Sequence, residues 1–484
     1  MNLLAEHARN IPDRIALAED GRTWTWARLN MEALVIAGRL RSEHGIVPGD
    51  VVSTVLENNA RHVIILHAIF LCGAIVAPLN LRLSPAERAR QIAHLQPRLL
   101  IAEDDPAASG VQWLQPESLF ADTARGTLRQ FQPVLTVDNS TCSILFTSGS
   151  SGVMKAVPHS WHNHRRSAEG SAANLGVRED DNWLCVIPLY HIGGLAIVTR
   201  SLIYGTAMTV HQRFDPTAAL DTLRHGRITL LSVVPTMLQR IMDADAGFSA
   251  AAFPGLRAIL LGGAAASRSL WEAAQLRGLP LLGTYGLTET CSQVVTASPA
   301  ALQRMAGSAG QAIDGAEMQI RDEQGEILSA GCTGEICIRG EMVAEAYLRN
   351  PSLTAERFVD GWFRTGDIGL IDGNGFLHVL GRCDDMIVSG GENVYPSEIE
   401  DVLLRHSAVA DAAVAGIEDA VWGMKIAAVV VLRRDIDFIE LETWCRSELA
   451  GYKIPRIWRR IDALPRTSSG KLIRSEVRRI SRND

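Results

Sequence analysis

Up to about Gly310, short runs of apolar and β-branched residues alternate with segments in which apolar residues recur at helical spacing. Each run ends in Gly, Pro, Asn or Asp, residues that commonly terminate strands. The runs are VVSTVL, AIVAPLN, RLLIAED, TLLSVVP and LRAILLGG. Apolar strands that alternate with helices are typical of βα units on buried, largely parallel sheets. We therefore predict a large α/β domain in the N-terminal part of the chain.

The pattern changes after about Gly310, where apolar and polar residues alternate around glycine-rich turns. AEMQIRDEQGEILSAGCTGEICIRG and GWFRTGDIGLIDGNGFLHVLGR both predict antiparallel strands, with DGNG as a hairpin turn. Beyond Arg382, PSEIEDVLLRHSAV has helical spacing, whereas DAAVAGI and KIAAVVVLRR resemble strands, which predicts a compact α+β domain. We place the boundary near Cys383 and Asp384, giving domains at residues 1–382 and 383–484.

The most apolar run, VIILHAIFLCGAIVAPL, has about the shortest length that can span a bilayer. It contains a histidine, a glycine and a proline, so we predict a buried helix followed by a strand. The first residues, MNLLAEHARN, carry charged side chains where a signal peptide would have its apolar segment. We therefore expect neither a signal peptide nor membrane insertion.

The amino-acid composition further narrows the class of protein. With 484 residues, of which 47% are apolar and 21% charged, the chain has an ordinary globular composition and room for more than one domain. The net charge of −7 gives no whole-chain attraction for nucleic acid. The eight cysteines are scattered, and the spacing of Cys332 and Cys337 matches no zinc pattern. We expect reduced thiols and a cytoplasmic protein.

The segment ILFTSGSSGVMKAVPHS, residues 144–160, joins an apolar run to a stretch rich in Thr, Ser and Gly. A flexible linker and a phosphate-binding loop both fit this composition. The flanks favour the loop, because SILF predicts a strand and WHNHRRSAEGSAAN predicts a helix. Glycines between a strand and a helix let backbone N–H groups converge on an anion, and Lys155 adds a positive charge. The spacing of Gly149, Gly152 and Lys155 differs from that of a Walker loop.

Three further segments carry groups suited to a nucleotide. In TYGLTE, Tyr285 could stack on a base, Thr288 could bind a phosphate and Glu289 could bind Mg²⁺. RTGD ends in Asp367, whose carboxylate could accept hydrogen bonds from a ribose diol. TSSGKLIR places Lys471 on a glycine-containing loop. Taken singly, each segment has a purely structural explanation, such as an exposed acid at a strand end or an aspartate in a turn. The prediction of a nucleotide site therefore depends on all the segments occurring together and in this order.

The order of five segments resembles that of the adenylate-forming superfamily, which comprises acyl- and aryl-CoA synthetases, luciferases and the adenylation domains of peptide synthetases. The segments are TSGSSGVMK, YGLTE, RTGD, GRCDDMIVSGGENVYPSEIE and SSGK, and the resemblance covers essentially the whole chain. Two residues depart from the family pattern: Met154 replaces the usual Pro, and Ala156 the usual Gly. Since proline mainly stiffens a loop, we expect a looser loop that still functions.

The resemblance implies a fold and a reaction. The fold would be a large α/β domain, with parallel-rich sheets and a small distorted β-barrel, followed by a small mobile α+β domain. In the reaction, a carboxylate would attack the α-phosphate of Mg·ATP to give an acyl-adenylate and pyrophosphate, and the thiol of coenzyme A would then displace AMP. The first transition state is densely negative, which suits cationic and hydroxyl groups as stabilisers. ATP, Mg²⁺ and coenzyme A are therefore the expected cofactors.

The resemblance also assigns roles to individual residues. The implied catalytic residues are Lys155, His191, Thr288, Glu289 and Lys471, with Glu289 as the metal ligand. The implied nucleotide-binding residues are Thr147, Ser148, Gly149, Ser150, Ser151 and Gly152 at the phosphates, Gly262, Gly263, Ala264, Thr284, Tyr285 and Gly286 at the adenine, and Asp367 and Arg382 at the ribose. The residues implied to line the pantetheine tunnel are Ser389, Gly390, Gly391 and Trp422, although a lone tryptophan could equally belong to the core. Asp384 would be the hinge about which Lys471 leaves the site.

For the acid, DNWLCVIPLYHIGGLAIVTRSLIYG and LGTYGLTETCSQVVT most resemble o-succinylbenzoate–CoA ligases, while GRCDDMIVSGGENVYPSEIE equally resembles a halobenzoate–CoA ligase. A compact aromatic acid is therefore expected. The implied pocket residues are His191, Gly193, Gly194, Arg200, Ser292, Gln293 and Thr296. A second carboxylate on the acid must not be buried unpaired. Arg200 or one of the polar residues on the 292–296 segment could meet it; a surface or capping role is the alternative for Arg200.

Other functions fit parts of the sequence. The substrate could be another benzoate-, cinnamate- or fatty-acid-type acid, or the acyl group could be passed to a separate carrier protein. A non-catalytic nucleotide-binding protein is the alternative of a different class, and the presence of Lys155, Glu289, Asp367, Arg382 and Lys471 argues against it. Besides the small-molecule acid we expect no nucleic-acid partner, and a monomer or a homodimer.

Overall fold

The computed structural model describes most of the chain. The described residues are 2–104, 110–121, 131–134, 137–148, 154–299, 307–389, 392–419, 422–467 and 470–482, with the side chains of Ser148 and Asn393 left out. Within these ranges, the 3₁₀ turns Cys383–Asp385 and Gly451–Lys453 accompany the helices and strands.

The α-helices of the described residues are, in chain order, α1 (Leu3–Asn10), α2 (Trp26–Ser42), α3 (Ala60–Leu71), α4 (Pro85–Leu95), α5 (Pro116–Phe120), α6 (Trp161–Leu175), α7 (Ile192–Tyr204), α8 (Pro216–His225), α9 (Pro235–Ala244), α10 (Arg268–Leu276), α11 (Pro351–Arg357), α12 (Pro396–Leu404), α13 (Phe438–Glu448) and α14 (Arg474–Arg482).

The strands are, in the same order, β1 (Ile15–Glu19), β2 (Arg22–Thr25), β3 (Val51–Val55), β4 (Ile75–Pro78), β5 (Leu99–Ala102), β6 (Trp113–Leu114), β7 (Thr141–Ser148), β8 (Met154–Ser160), β9 (Asn182–Cys185), β10 (Ala207–Val210), β11 (Leu230–Val233), β12 (Ala258–Leu261), β13 (Leu281–Leu287), β14 (Ser292–Thr296), β15 (Gln311–Ala312), β16 (Ala316–Arg321), β17 (Gly334–Gly340), β18 (Phe358–Val359), β19 (Trp362–Ile371), β20 (Leu377–Arg382), β21 (Ile387–Ser389), β22 (Glu392–Val394), β23 (Val409–Asp419), β24 (Gly423–Leu432) and β25 (Ile457–Arg460).

Two large sheets form the N-terminal part. A nine-stranded sheet has the order β15-β14-β13-β12-β11-β9-β10-β1-β2, and a six-stranded sheet has the order β6-β5-β3-β4-β7-β8. The central strands of both sheets pair in parallel, for example β11 with β12 and β3 with β4, which confirms the predicted parallel sheets. Helices α2 and α3 pack between them, and side chains from both sheets enter the same core cluster.

The apolar run of residues 63–79 forms a helix and a strand, as predicted. Every residue of helix α3 except Arg61 is buried, and β4 follows it within the six-stranded sheet. Burial on nearly every side explains why this helix is mostly apolar. Among the helices that the structure describes, none combines the length and the apolar character that crossing a membrane requires.

The antiparallel region after Gly310 folds into a five-stranded sheet of β16, β17, β19, β18 and β20. The DGNG segment lies between β19 and β20, which pair antiparallel with Asp367 opposite Arg382, so the hairpin prediction is confirmed. A bridge between Gly310 and Leu377 links β20 to the chain just before β15. The sheet therefore curves around its own small core as a half-barrel.

The C-terminal part is a smaller α+β unit. Its five-stranded sheet has the order β22-β21-β24-β23 with β25 beside β24. The long pair β23 and β24 is covered by α12 and α13 on one face and by α14 on the other, because successive side chains of a strand point to opposite faces. The predicted fold class of a large α/β part and a small α+β part is confirmed; the boundary after residue 382 stays a prediction.

Candidate functional site

The segment that carries Lys155 differs from its prediction in element order. The residues after Thr147 join two antiparallel strands, β7 and β8, with Thr147 opposite Lys155. Helix α6 begins only after β8, so the expectation that a helix N-terminus adjoins the loop is wrong. The sequence MKAVPHS was not recognised as a strand because it follows the glycines directly. Gly149, Ser150, Ser151 and Gly152 lie outside the described residues, as does the side chain of Ser148.

Thr288 and Glu289 lie in a tight turn between β13 and β14. The Thr290 hydroxyl closes the turn: it accepts from the N–H of Leu287 at 2.9 Å and donates to the carbonyl of Ser292 at 2.8 Å. Cys291 and Ser292 have φ values of 52° and 90°, which non-glycine residues rarely adopt. Such strain persists where the surroundings fix the backbone, and it is common at functional sites.

Glu289 is buried in this turn and has two partners from the segment after β17. The Tyr347 hydroxyl donates to Glu289 Oε1 at 2.7 Å, and the N–H of Ala344 donates to the Glu289 carbonyl at 2.8 Å. Lys155 Nζ lies 5.8 Å from the centre of the Tyr347 ring. Burial lowers the pKa of Lys155, and the charge of Glu289 partly opposes this. A lysine, a carboxylate and a phenol therefore share one pocket.

The predicted ribose residues meet β13. Asp367 accepts from the Tyr285 hydroxyl at 2.7 Å and from Arg382 Nη1 at 2.8 Å. Burial, followed by the neighbouring Asp367, raises the pKa of Tyr285 well above its usual value, so the phenol remains a donor. The carboxylate of Asp367 is therefore held from both sides in a fixed orientation.

The predicted adenine residues lie beside Tyr285. Gly262, Gly263 and Ala264 form the turn after β12, at the carboxyl end of a parallel strand. A Cβ placed on Gly262 would lie 2.6 Å from Thr284 Cγ2, so the turn packs directly against β13. Gly286 follows on the same strand. The structure thus brings these predicted residues to one edge of the nine-stranded sheet.

Lys471 comes to this edge from the C-terminal part. Burial lowers its pKa, while the charges of Asp367 and Glu289 oppose that effect. Its ammonium therefore lies close enough to both carboxylates for their charges to act on it, although solvent still reaches the side chain. The preceding Gly470 has φ +80°, and a Cβ there would lie 2.8 Å from Thr236 Oγ1.

A second contact joins the two parts. Asp401 Oδ1, on α12, accepts from the backbone N–H of Arg268 at 2.8 Å, in the first turn of α10. Because the first N–H groups of a helix have no partner within the helix, a carboxylate from elsewhere can satisfy one. The contact between α12 and α10 therefore supports the placement of Lys471.

His191 is the residue immediately before α7. Its Nε2 is buried and has no hydrogen-bond partner among the described residues. Burial, and then the positive charge of Lys471, lowers the pKa of His191 to about 4, so the ring is neutral at physiological pH. An unpartnered, neutral imidazole beside the lysine can bind a polar group of a ligand. Gly193 and Gly194 follow in the first turn of the helix.

The predicted acyl-pocket residues meet around Arg200, on the buried face of α7. The Arg200 guanidinium donates to Gln293 Oε1 at 3.4 Å and to Ser167 Oγ at 3.1 Å. Its Nε is buried without a partner among the described residues. The surface and capping alternatives for Arg200 are therefore wrong, since only 3% of the residue is exposed. Ser292 and Thr296 flank Gln293 on β14.

The remaining predicted residues lie in the C-terminal part. Ser389 is buried on β21, opposite Gly423, and Gly390 and Gly391 lie outside the described residues. Trp422 lies under Arg456, whose Cζ is 4.2 Å from the ring centre. Asp384 lies in the 3₁₀ turn that follows β20, and its carbonyl accepts from Arg478 Nη2 at 3.3 Å.

Sequence reasoning missed several residues that this site uses. Tyr347 lies far from every segment named above, Thr236 directly follows the apolar run TLLSVVP, and Asp401 belongs to a helix predicted from its apolar spacing alone. His159, which binds the Thr288 backbone, follows Lys155 on the same strand at even spacing. The even spacing places His159 and Lys155 on the same face only if the segment is a strand. It is the one sequence signal for His159, and it depends on recognising β8.

The residues present fit a magnesium ion bound with a nucleotide. Among the described residues, no group of three or more His, Cys, Asp or Glu side chains could hold a metal alone. Mg²⁺ with a nucleotide commonly uses one or two carboxylates together with phosphate oxygens and water. Glu289 suits this role, since Tyr347 engages Oε1 and no hydrogen bond to Oε2 forms within the described residues.

Comparison with known proteins covers the whole chain. A family model described as AMP-binding enzyme matches residues 4–348, and one described as AMP-binding enzyme C-terminal domain matches residues 398–471. The chain is 39% identical over 483 residues to a 2-succinylbenzoate–CoA ligase of Bacillus licheniformis, covering 98% of this chain and 99% of the relative.

Two solved structures extend the similarity to three dimensions. An o-succinylbenzoate CoA synthetase from Bacillus subtilis, in complex with the acyl-adenylate intermediate OSB-AMP, superposes with a TM-score of 0.92 at 36% identity, covering 98% of this chain and 97% of that one. The same Bacillus subtilis enzyme in complex with ATP and magnesium ion gives a TM-score of 0.89 at 36% identity, covering 98% of each chain.

Proposed function

This chain belongs to the AMP-binding enzyme family, and on that premise we propose that it is an AMP-forming ligase that couples o-succinylbenzoate to coenzyme A. The first step would form the acyl-adenylate from the acid and Mg·ATP, releasing pyrophosphate. The second would form the CoA thioester and release AMP. One observation carries the proposal: Lys471 of the C-terminal part lies within the electrostatic reach of Glu289 and Asp367 of the N-terminal part.

The nucleotide would lie along the edge where these groups meet. Asp367, held by Tyr285 and Arg382, would accept from the ribose hydroxyls, and the turn after β12 would line the adenine. Thr147 to Gly152 and Lys155 would hold the β- and γ-phosphates. Negative charge that builds up on the phosphates is best stabilised by groups already in position.

Glu289 would be the protein ligand of the magnesium ion. When bound, this ion neutralises phosphate charge and favours displacement of pyrophosphate. Thr288 would donate its hydroxyl to a phosphate oxygen. His191, with its unpartnered Nε2, would bind at the junction of the nucleotide and the acid.

Lys471 would stabilise the transition state of adenylation. Its ammonium is charged as long as the working pH is below the lowered pKa. The loop that carries Lys471 packs on Thr236 through Gly470. We propose that the C-terminal domain, residues 383–484, then rotates about Asp384. The rotation would remove Lys471 and bring Ser389, Gly390, Gly391 and Trp422 to the pantetheine arm of coenzyme A.

Arg200 supports an acid with a second carboxylate. It is buried, and no carboxylate forms an ion pair with it in the described part of the chain. Moving a charged group from water into the protein interior without a counter-ion costs on the order of several kcal/mol. The succinyl carboxylate of o-succinylbenzoate would supply the missing negative charge, with Gln293 orienting the guanidinium. Gly193, Gly194, Ser292 and Thr296 would enclose the rest of the acid.

The test is a release assay for AMP and CoA thioester. It compares o-succinylbenzoate with halobenzoates, cinnamates and medium-chain fatty acids, and includes ATP–pyrophosphate exchange for each acid. We expect o-succinylbenzoate to give the highest kcat/KM. Exchange without transfer to free coenzyme A would favour a carrier-protein acceptor, whereas no exchange with any acid would favour a nucleotide-binding protein.

A variant separates the role of Arg200 from the reaction class. Arg200→Ala should lose most turnover of o-succinylbenzoate while a monocarboxylic aryl acid loses little, because only the diacid needs the guanidinium. Full turnover of o-succinylbenzoate by this variant would overturn the role of Arg200 and leave the proposed reaction unaffected.

We also propose that the protein is a cytoplasmic enzyme of the menaquinone pathway that acts as a monomer or homodimer.

A further inference from the structure

A buried hydrogen bond joins the strand that carries Lys155 to the turn that carries Thr288. His159 Nε2 lies 2.6 Å from the Thr288 carbonyl oxygen. A carbonyl can only accept, so Nε2 carries the hydrogen and Nδ1 has a free lone pair. His159 has no exposed surface, and it lies four positions after Lys155 on β8. Residues at even spacing share a face of a strand, so both side chains project towards the same turn.

The hydrogen bonds continue from His159 to α7, the helix that carries Arg200. The Ser143 hydroxyl lies 3.5 Å from His159 Nδ1 and 2.9 Å from His164 Nε2. His164 Nδ1 lies 3.3 Å from Thr199 Oγ1, on α7, one residue before Arg200. All of these side chains are buried.

One arrangement of hydrogens gives every ring nitrogen a partner among these contacts. Ser143 donates to His159 Nδ1, His164 Nε2 donates to the Ser143 oxygen, and Thr199 donates to His164 Nδ1. Burial lowers the pKa of His159 to about 4 and that of His164 well below its usual value. Both rings are therefore neutral at physiological pH, and the contacts are hydrogen bonds without ionic character.

The other carbonyls of the turn are fixed by separate groups. The Thr290 hydroxyl donates to the carbonyl of Ser292 at 2.8 Å and its backbone N–H to that of Leu287 at 3.3 Å, and Ser167 donates to the carbonyl of Cys291 at 2.8 Å. Among the hydrogen bonds of the described residues, His159 alone connects the Thr288 peptide to β8. The Thr288 carbonyl also accepts from the N–H of Cys291 at 3.1 Å, and Leu287 packs against the cluster that contains Val157 of β8. The bond from His159 is therefore the direct hydrogen bond by which β8 helps to set the distance between Lys155 and Thr288.

We propose that His159 is a positioning residue for adenylation, which holds the Thr288 peptide at a fixed distance from Lys155 and, through Ser143 and His164, ties it to the acyl-pocket helix α7. This inference rests on the proposed function, in which Thr288 and Lys155 bind ATP phosphates. The network would couple the two substrates, because any shift of α7 on binding the acid would change the support of the phosphate-binding turn.

The test replaces His159 with leucine and with glutamine. Glutamine places an amide N–H close to the position of Nε2 and can still donate to Thr288, whereas leucine cannot. We expect His159→Leu to lower kcat for ATP–pyrophosphate exchange by between about tenfold and a hundredfold, the range for a catalytic group misplaced by about an ångström. The KM for ATP should change little, and His159→Gln should recover most of the loss.

The thioester half-reaction, started from pre-made acyl-adenylate and coenzyme A, separates positioning from folding. It should lose much less than exchange in His159→Leu, because the acyl-adenylate keeps only the α-phosphate, and the β- and γ-phosphates that Lys155 would hold are absent. His62 provides the matched control: it is equally buried, its pKa is also lowered to about 4, and its Nδ1 donates to the Glu57 carbonyl at 3.1 Å. His62→Leu should lower the melting temperature without changing the ratio of the two half-reactions.

Equal loss of both half-reactions in His159→Leu, in the same proportion as in His62→Leu, would overturn the proposal, as would full exchange activity. If His159→Leu does not fold, Ser143→Ala decides, since it removes only the hydroxyl that joins the two rings. A selective loss of exchange in Ser143→Ala supports the network, and an unchanged ratio overturns it. A wild-type enzyme that adenylates no acid would instead defeat the proposed function itself.

Discussion

The hydroxyl of Tyr347 donates a 2.7 Å hydrogen bond to Oε1 of Glu289, and both groups lie where Lys155 enters the pocket. The bond leaves one carboxylate oxygen for a metal ion and fixes its direction. Burial, followed by the charge of Glu289, raises the pKa of Tyr347, so the phenol remains protonated at any working pH.

Tyr347→Phe should therefore weaken adenylation. We expect about a tenfold fall in the rate of ATP–pyrophosphate exchange, because a hydrogen bond to a charged group contributes about 1.5–3 kcal/mol and part of this is realised in the transition state. The concentration of Mg²⁺ for half-maximal rate should rise as well. Measurement of exchange against Mg²⁺ concentration checks this, and an unchanged Mg²⁺ dependence would contradict the role of Glu289 as the metal ligand.

Lys471→Ala should abolish adenylation and spare the second step. The ammonium lies within the electrostatic reach of Asp367 and Glu289, and it would leave the site after domain rotation. The measurement compares ATP–pyrophosphate exchange with thioester formation from pre-made acyl-adenylate. Equal loss in both assays would argue against two domain arrangements.

The pH dependence of adenylation should reflect the same lysine. Burial lowers the pKa of Lys471 from the usual 10.5, so the ammonium is lost at a lower pH than in an ordinary lysine. Adenylation needs the charged form, and its rate should fall as the pH rises through this lowered pKa. Lys471→Arg keeps its charge at alkaline pH, so any activity it retains should lack this decline. The same decline in the thioester half-reaction would contradict the assignment.

Gly470→Ala should disfavour the closed arrangement. The residue has φ +80°, and the added Cβ would lie 2.8 Å from Thr236 Oγ1. A left-handed backbone conformation costs an alanine about 1–2 kcal/mol, so we expect roughly a tenfold loss of adenylation. The matched control is Gly331→Ala, which shares the left-handed conformation with φ +84° but where a Cβ would meet no atom within 4 Å. Similar losses in both variants would show that the contact with Thr236 has no role.

Arg257→Met should reduce stability far from the site. Arg257 forms a buried ion pair with Asp181 at 2.6 Å and also donates to the carbonyls of Leu175 and Gly176. Breaking such a pair by removing one partner costs about 3–5 kcal/mol. Urea unfolding measures the loss. Arg446→Ala, which removes an exposed pair with Glu442, should cost less than about 1 kcal/mol.

The same pair gives a signed pH dependence. Burial alone would raise the pKa of Asp181, but the hydrogen bond from Arg257 and others outweigh burial and lower it below the usual 3.8. A lowered carboxyl pKa stabilises the folded state above pH 3.8, and this contribution disappears as the pH falls through the lowered value. Arg257→Met removes that hydrogen bond, so its acid unfolding should begin at a higher pH than that of the wild type.

The sequence by itself determined the elements and most of the chemistry. Apolar strands alternating with helices predict parallel sheets because a strand buried on both faces is mostly apolar, as β3, β4, β11 and β12 are. DGNG marked its hairpin because few residues adopt the required turn. Tyr285, Asp367 and Arg382 could be named because their chemistry is carried by short, contiguous segments.

Only the tertiary structure decided which groups meet. The even spacing of Lys155 and His159 has meaning only once β8 is seen to pair with β7. Tyr347, Thr236 and Asp401 lie outside the segments that carry recognisable chemistry. Their partners lie tens or hundreds of residues away, so each contact depends on how sheets and domains pack. The sequence of a segment largely determines its local conformation, whereas the distance between two side chains remote in sequence is determined by how the whole chain packs.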